Sequence, residues 1–345
     1  MKLVSFYRNH KTRLGIYHLG QILDLAAAAE HEGIKFPDKM EKFLKKLDVY
    51  EGTARKLEEK FKQGKLQKYG YDINEVALLA PVPKPTSCRD GYAFRQHVAS
   101  ARKNRGAEMI AEFDEYPIFY FTNHNAITGP GPIACMPDHF QKLDFELEIA
   151  AVIGKAGRNI RAEEADQYIF GYTIMNDMSA RTLQMEEMLL NLGPAKGKDF
   201  STVIGPWLVT KDELEAYHTA PKPGHVGLNY NLEMKAYVND KLVSEGNTGD
   251  MDWTFAEIIE RCAYGVDVLP GDVIGSGTVG TGCFLELNGT GLRLNPETYT
   301  PVWLQAGDTI ALEISGLGRL ENTIVAEEDN FSILARKKNL PAIKK

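Results

Sequence analysis

Between Leu143 and Gly154 the chain reads Leu-Asp-Phe-Glu-Leu-Glu-Ile-Ala-Ala-Val-Ile-Gly, an apolar segment whose first half carries a carboxylate at every second position. As a strand it would put Asp144, Glu146 and Glu148 on one face and Phe145, Leu147 and Ile149 on the other, with same-face neighbours roughly 6.6 Å apart. Its Ala-Ala-Val-Ile-Gly end reads as buried. Carboxylates lined up on a strand entering a core repel one another and raise each other's pKa unless a cation compensates them. Oxygen donors of this kind suit a hard divalent ion, Mg²⁺, Ca²⁺ or Mn²⁺. The same alternation also fits an antiparallel strand with one wetted, acidic face.

Four further stretches carry side chains capable of chemistry. Gly171 to Arg181 is an apolar run that ends in Asn176-Asp177-Met178-Ser179-Ala180-Arg181 where a helix is due to start. Asp177 could complete an oxygen cage begun by Glu146 and Glu148, with Arg181 and Gln184 supplying donors one turn apart; equally, Asn176 and Asp177 could only cap the helix. Gly193 to Thr202 holds two lysines among glycines without the GxxxxGK[ST] spacing, which favours a loop projecting Lys198 into a pocket over a phosphate cradle, or a solvated lysine. Arg89-Asp90-Gly91-Tyr92 and His97 bring an acid, a phenol and an imidazole together, although His97 alone fits a structural or surface histidine as well as a base. Last, a glycine-rich loop at Gly275 to Gly282, containing Thr278, feeds a strand predicted at Cys283 to Leu287 with Glu286 between two leucines, and a buried glutamate needs a partner.

The elements that must position these residues follow from periodicity and punctuation. Short β-like runs at Lys2–Phe6, Leu14–His18 and Gln21–Leu25 open the chain, and Asp38 to Gln67 shows the helical spacing of one or two amphipathic helices. Pro81-Val82-Pro83-Lys84-Pro85 is an extended connector, which predicts a small N-terminal α/β region over residues 1–85 and a main domain over 86–345. The main domain reads mostly as strands, including Pro117–Thr122, Asp144–Gly154, Ile169–Asn176, Trp207–Thr210, Leu232–Val238, Val273–Gly275, Thr309–Ile314 and Leu320–Val325. Helices are predicted at Ala162–Tyr168, Ala180–Leu190 and Thr254–Cys262, the last with Thr254 and Glu257 as a capping pair. The fold class implied is a β-rich α+β domain, two sheets packed or rolled around one core.

Bulk properties narrow the function classes. The 345 residues are 43% hydrophobic and 25% charged, the balance of a soluble globular protein. A formal net charge of −7, with basic residues bunched only at Lys337-Lys338 and Lys344-Lys345, argues against nucleic acid or anionic membrane as a partner. No apolar run is long enough to span a bilayer, and the N-terminus lacks a signal peptide's apolar core, which predicts a mature cytosolic protein. Cys88, Cys135, Cys262 and Cys283 are too widely spaced for a zinc motif and are expected to be reduced and structural.

Taken in order, Asp-Phe-Glu-Leu-Glu at Asp144–Glu148, Met-Asn-Asp-Met-Ser-Ala-Arg at Met175–Arg181, Gly-Lys-Asp-Phe at Gly197–Phe200, Gly-Thr at Gly277–Thr278 and Leu-Glu-Leu at Leu285–Leu287 resemble the fumarylacetoacetate hydrolase family over roughly Thr86 to Val325. The resemblance implies that family's mixed β-sandwich or roll and a divalent metal, Mg²⁺ or Ca²⁺ with Mn²⁺ possible, held by Asp90, Glu146, Glu148 and Asp177. It makes His97 the water-activating base oriented by Glu286. Arg181, Gln184 and Lys198 then stabilise oxyanion and leaving group, and Tyr92, Arg181, Gln184 and Thr278 contact substrate. The activity implied is hydrolysis of a carbon–carbon bond in a β-diketo acid, fumarylacetoacetate or an acylpyruvate, as in aromatic amino acid catabolism, by a cytoplasmic homodimer. Decarboxylation, hydration or tautomerisation of a 2-oxo acid on the same metal-enolate site is the alternative, and a noncatalytic ligand-binding member the second. Two departures stand out. The region matching a substrate-holding Tyr before His-Gly-Arg reads Phe121-Thr122-Asn123-His124-Asn125 here, and the loop from Thr278 to Glu286 is shorter, which predicts a different acyl pocket.

Overall fold

The computed structural model describes residues 1–336; the Lys337-Lys338 and Lys344-Lys345 pairs lie outside the described residues. The opening strands are β1 (Lys2–Arg8), β2 (Lys11–His18) and β3 (Gln21–Asp24), followed by helices α1 (Leu25–His31), α2 (Met40–Leu44) and α3 (Leu47–Lys62). Past the proline connector come β4 (Cys88–Gly91), α4 (Arg95–Lys103), β5 (Phe119–Thr122), β6 (Gly131–Cys135), β7 (Leu147–Ile153), β8 (Ile169–Asp177), α5 (Arg181–Met188) and β9 (Thr202–Thr210). The remainder holds β10 (Glu233–Val238), β11 (Lys241–Asn247), α6 (Phe255–Ala263), β12 (Val273–Gly275), α7 (Phe284–Leu294), β13 (Thr309–Ile314) and β14 (Gly318–Ala326).

Two sheets organise these elements. The larger runs β3-β2-β1-β9-β8-β7-β12-β4-β5, and the smaller β11-β10-β13-β14-β6. Residues 1–85 thus contribute β1 to β3 to the large sheet, with Lys2 opposite Val209 and Leu3 opposite Leu208. β7 explains the layering. Alternate residues Leu147, Ile149, Ala151 and Ile153 point into the apolar core shared with β10, β13 and β14. Ala150 and Val152, on the opposite face, pack with Met40, Phe43, Leu57 and Phe61 of α2 and α3. A strand covered on both faces needs a continuous apolar run, and all seven β7 residues are buried.

Most predicted elements recur with shifted ends, and the Thr254–Glu257 capping box of α6 is present with both reciprocal bonds. Two differ in kind. The acidic strand is broken: Leu143-Asp144 pairs with Ser179-Ala180, Phe145 and Glu146 leave the ladder, and β7 starts only at Leu147. The strand predicted at Phe284–Leu287 is the start of helix α7, because its first free N–H groups find side-chain acceptors from elsewhere. The four cysteines are free and buried. No helix among the described residues is long and apolar enough to cross a membrane.

Candidate metal centre and active site

The centre of the large sheet brings the acids together by register. Parallel pairing sets Asp90 of β4 beside Gly275 of β12, antiparallel pairing sets Gly275 beside Ala150 of β7, and β7 in turn sets Glu148 beside Met175 of β8, two residues before Asp177. One oxygen from each of Asp90, Glu146, Glu148 and Asp177 lies within 4.8 Å of the others, and all four residues are buried. The place between them is kept open by Gly275, where a Cβ would come 2.4 Å from Asp90 Oδ1 and 2.9 Å from Glu148 Oε2. Glu148 Oε2 and Asp177 Oδ1 are buried with no hydrogen-bond partner among the described residues. Orphaned carboxylate oxygens around a side-chain-free gap, in an all-oxygen donor set, fit a hard divalent cation.

Electrostatics within the cluster is uneven. Burial, and then the charge of Asp177, push Asp90 up to about 7. Burial and the charge of Asp90 push Glu148 well above the usual carboxylate range. Burial alone would raise Glu146 too, but Lys198 and Arg181 more than offset it and hold that carboxyl well below its ordinary value. Lys198 Nζ lies 2.5 Å from Glu146 Oε2 and 2.6 Å from Asp177 Oδ2. The predicted loop lysine is therefore buried and paired, not solvated.

Arg181 opens α5 and donates through Nε to Asp144 at 2.9 Å, through one terminal nitrogen to Gln184 Oε1 at 3.0 Å and through the other to Glu146 Oε1 at 2.7 Å. Asp144, to which sequence reasoning gives no chemical role, also accepts from the N–H groups of Phe284 and Leu285 at 2.8 and 2.9 Å. It lies outside the four-carboxylate cluster and serves as a long-range cap for α7.

That cap sets the other half of the site. Glu286, in the first turn of α7, accepts from Thr281 N–H at 2.9 Å and sits 2.7 Å from His97 Nδ1 of α4. Engaging Nδ1 leaves Nε2 of His97 for a molecule in the adjoining cavity, and His97 can reach within 4.8 Å of a Glu146 oxygen. Tyr92 meets the His97 ring edge-on with centroids 6.1 Å apart, and Thr278 donates to Glu148 at 3.4 Å. The side chains that the family resemblance picks out thus converge, and Asp144 joins them through Arg181. Sequence reasoning missed Tyr120, whose hydroxyl donates to Asp177 Oδ2; flanked by Phe119 and Phe121, it looks like one more apolar strand residue.

His97, Glu146, Arg181, Gln184, Lys198 and Thr278 line one end of a cavity of about 720 Å³, inside the size range of pockets that enclose a small organic ligand. An acid cluster, a His–Glu pair and cationic donors at one end of such a cavity can bind an anionic oxygen-rich substrate and activate water beside it.

Comparisons with known proteins agree with this picture. The sequence model described as fumarylacetoacetate (FAA) hydrolase, C-terminal, matches residues 86–325. The chain is 32% identical over 283 residues, 80% of its length and 83% of the relative's, to an oxaloacetate tautomerase of Bacillus subtilis. It is 31% identical over 337 residues to an uncharacterised Staphylococcus aureus protein, covering 94% of this chain and 99% of that one. Its structure is similar to that of a fumarylacetoacetate hydrolase from Exiguobacterium antarcticum, with TM-score 0.65 and 26% identity over 95% of this chain and 100% of that one. A maleylpyruvate hydrolase from Sphingobium, solved with manganese(II) and pyruvate, shares the fold at TM-score 0.66 and 23% identity over the same shares.

Proposed function

The chain belongs to the fumarylacetoacetate hydrolase family, and from that premise we propose that it is a divalent-metal-dependent hydrolase that cleaves a carbon–carbon bond in a β-diketo (2,4-dioxo) acid. The observation that carries this reading is the buried His97–Glu286 pair, whose His97 lines the same cavity as Asp90 and Glu146 of the four-carboxylate cluster. A histidine held by a carboxylate can take water's proton and deliver hydroxide to a carbonyl.

Asp90, Glu146, Glu148 and Asp177 would hold the ion. When bound, a divalent cation would supply positive charge that stabilises negative charge on substrate oxygens. His97 Nε2 takes a proton from water, while Glu286 fixes the neutral tautomer through Nδ1–H and stabilises the imidazolium. The hydroxide adds to the 4-carbonyl. Lys198 and the Gln184 amide donate to oxygen atoms that gain charge, each such donor contributing roughly 3 to 4 kcal/mol when well placed. The bond between C3 and C4 then breaks, its electron pair goes to C3, and His97 returns the proton there. Arg181 orients Glu146 and Gln184, and Tyr120 holds Asp177.

The test is pyruvate release from acetylpyruvate and longer 2,4-dioxo acids with Mn²⁺ or Mg²⁺. Chelation should abolish turnover, and His97→Ala should lower kcat by about 10² to 10⁴ with metal affinity retained. Turnover that survives loss of His97 would sink the dyad mechanism. A second reading, tautomerisation or decarboxylation of oxaloacetate or another 2-oxo acid on the same carboxylates, is favoured by the 32% identical tautomerase. Oxaloacetate consumed at full rate by His97→Ala, with no 2,4-dioxo acid cleaved by the native protein, would replace the first reading with the second.

A further inference from the structure

The cavity continues beyond the chemical end as a channel walled by three helices, each giving one face to it. On α5 the face runs Arg181, Gln184, Met185, Met188; on α7 it runs Leu285, Asn288, Leu292; from α4 into the residues after it, His97, Ala101, Asn104, Arg105. These are helical i, i+3, i+4, i+7 spacings. On each helix the residues nearest the chemistry stand at the N-terminal end, so the wall extends away from the acids by roughly 10 Å over seven residues. That length accommodates roughly eight bonds of an extended chain.

The wall offers a ligand almost nothing polar. Asn104 gives its amide N–H₂ to the Glu286 carbonyl and Thr290 Oγ1, both at 3.1 Å, and its oxygen accepts from Arg293 Nε at 3.2 Å. Asn288 donates to the Val302 carbonyl at 2.8 Å, and its oxygen accepts from the Tyr299 hydroxyl and the Val302 N–H, both at 3.0 Å. Both asparagines are therefore consumed by the protein. By contrast Met185, Met188, Leu292 and Ile118 line this same cavity at 42%, 51%, 41% and 46% exposure. Large apolar side chains left half-exposed around one channel mark a surface for an apolar ligand. Arg105 and Lys142 also line this cavity, both exposed to water, where charges interact weakly.

We infer that the acyl arm of the substrate is an extended apolar chain or ring, and that Met185, Met188 and Leu292 select it by length. This rests on the 2,4-dioxo acid reading for the headgroup but not for the arm. Calorimetry on the Mn²⁺-loaded protein with unbranched 2-oxo acids, from pyruvate to 2-oxotetradecanoate, reads the arm without any reaction. Affinity should rise about four-fold per methylene and level off near eight carbons, and Leu292→Lys should collapse the ratio of long-arm to pyruvate affinity. An affinity independent of arm length, or a dicarboxylic 2-oxo acid outbinding the neutral one of equal length, would overturn the inference. Rising affinity without cleavage of any 2,4-dioxo acid removes the hydrolase reading and leaves this one standing. Cleavage of acetylpyruvate with a flat binding series does the reverse.

Discussion

Asp90 and Glu148 each bind a proton more tightly in the fold than in the unfolded chain, because burial, together with the charge of Asp177 on Asp90 and of Asp90 on Glu148, disfavours their charged forms. For a chelator-treated protein the sign follows from linkage. Stability from these groups is full below the unfolded carboxylate range and is lost as pH rises through their raised values, which for Asp90 is about 7. The shift of Asp90 alone, from 3.8 to about 7, corresponds to on the order of 4 kcal/mol. A cation requires the opposite protonation state, so its stabilising effect should grow over the same interval. We expect the Tm increment produced by saturating Mn²⁺ to be small at pH 5 and several-fold larger at pH 8, read by differential scanning calorimetry. An increment equal at both pH values would remove these two acids from the ligand set. Glu146, held ionised by Lys198 and Arg181, contributes nothing to this slope, whereas burial raises Asp177 as it does Asp90 and Glu148, so these three acids and not the whole cluster govern it.

Among the elements, α7 shows where a linear reading stops. Cys283-Phe-Leu-Glu-Leu looks like a strand because three of its residues are apolar and a glycine-rich loop precedes it. What makes it a helix is the carboxylate of Asp144, 140 positions earlier, accepting from Phe284 N–H, and the Cys283 Sγ accepting from Glu286 N–H. A cap that arrives through tertiary structure leaves no local signal. The capping box of α6 was legible because donor and acceptor lie three residues apart. Asp144 therefore links the α7 that carries Glu286 to the Arg181 that orients Glu146. Asp144→Ala should cost about 3 kcal/mol, since it strips a buried arginine of one partner and two helix N–H groups of their acceptor. The corresponding fall in Tm is roughly 4 °C, accompanied by a lowered kcat, and Asp144→Asn should restore part of both. A substitution without effect on Tm would mean that α7 is held in place by its packing alone.

Over the whole molecule, the order of ligands along the chain and the β-rich α+β class were legible, because alternation, turn residues and the family motifs are local. The way residues 1–85 build on the rest was not. Their proline connector and change of composition read as a boundary, yet β1 pairs with β9 and the helices α2 and α3 cover Ala150, Val152 and Met175. Pairing over two hundred positions has no local trace. A chain starting at Thr86 should expose the edge of β9 and that apolar face, and should elute from size exclusion as aggregate with Mn²⁺ binding lost. A monodisperse fragment that binds the ion as tightly as the full chain would contradict this.

The dyad also sets a clock. His97 and Glu286 are 189 residues apart, so at 5–20 residues per second a ribosome needs roughly 10 to 40 s to supply the partner of a histidine it has already made. Only a chain interrupted after Asp177 carries all four clustered acids without the carboxylate that orients the histidine.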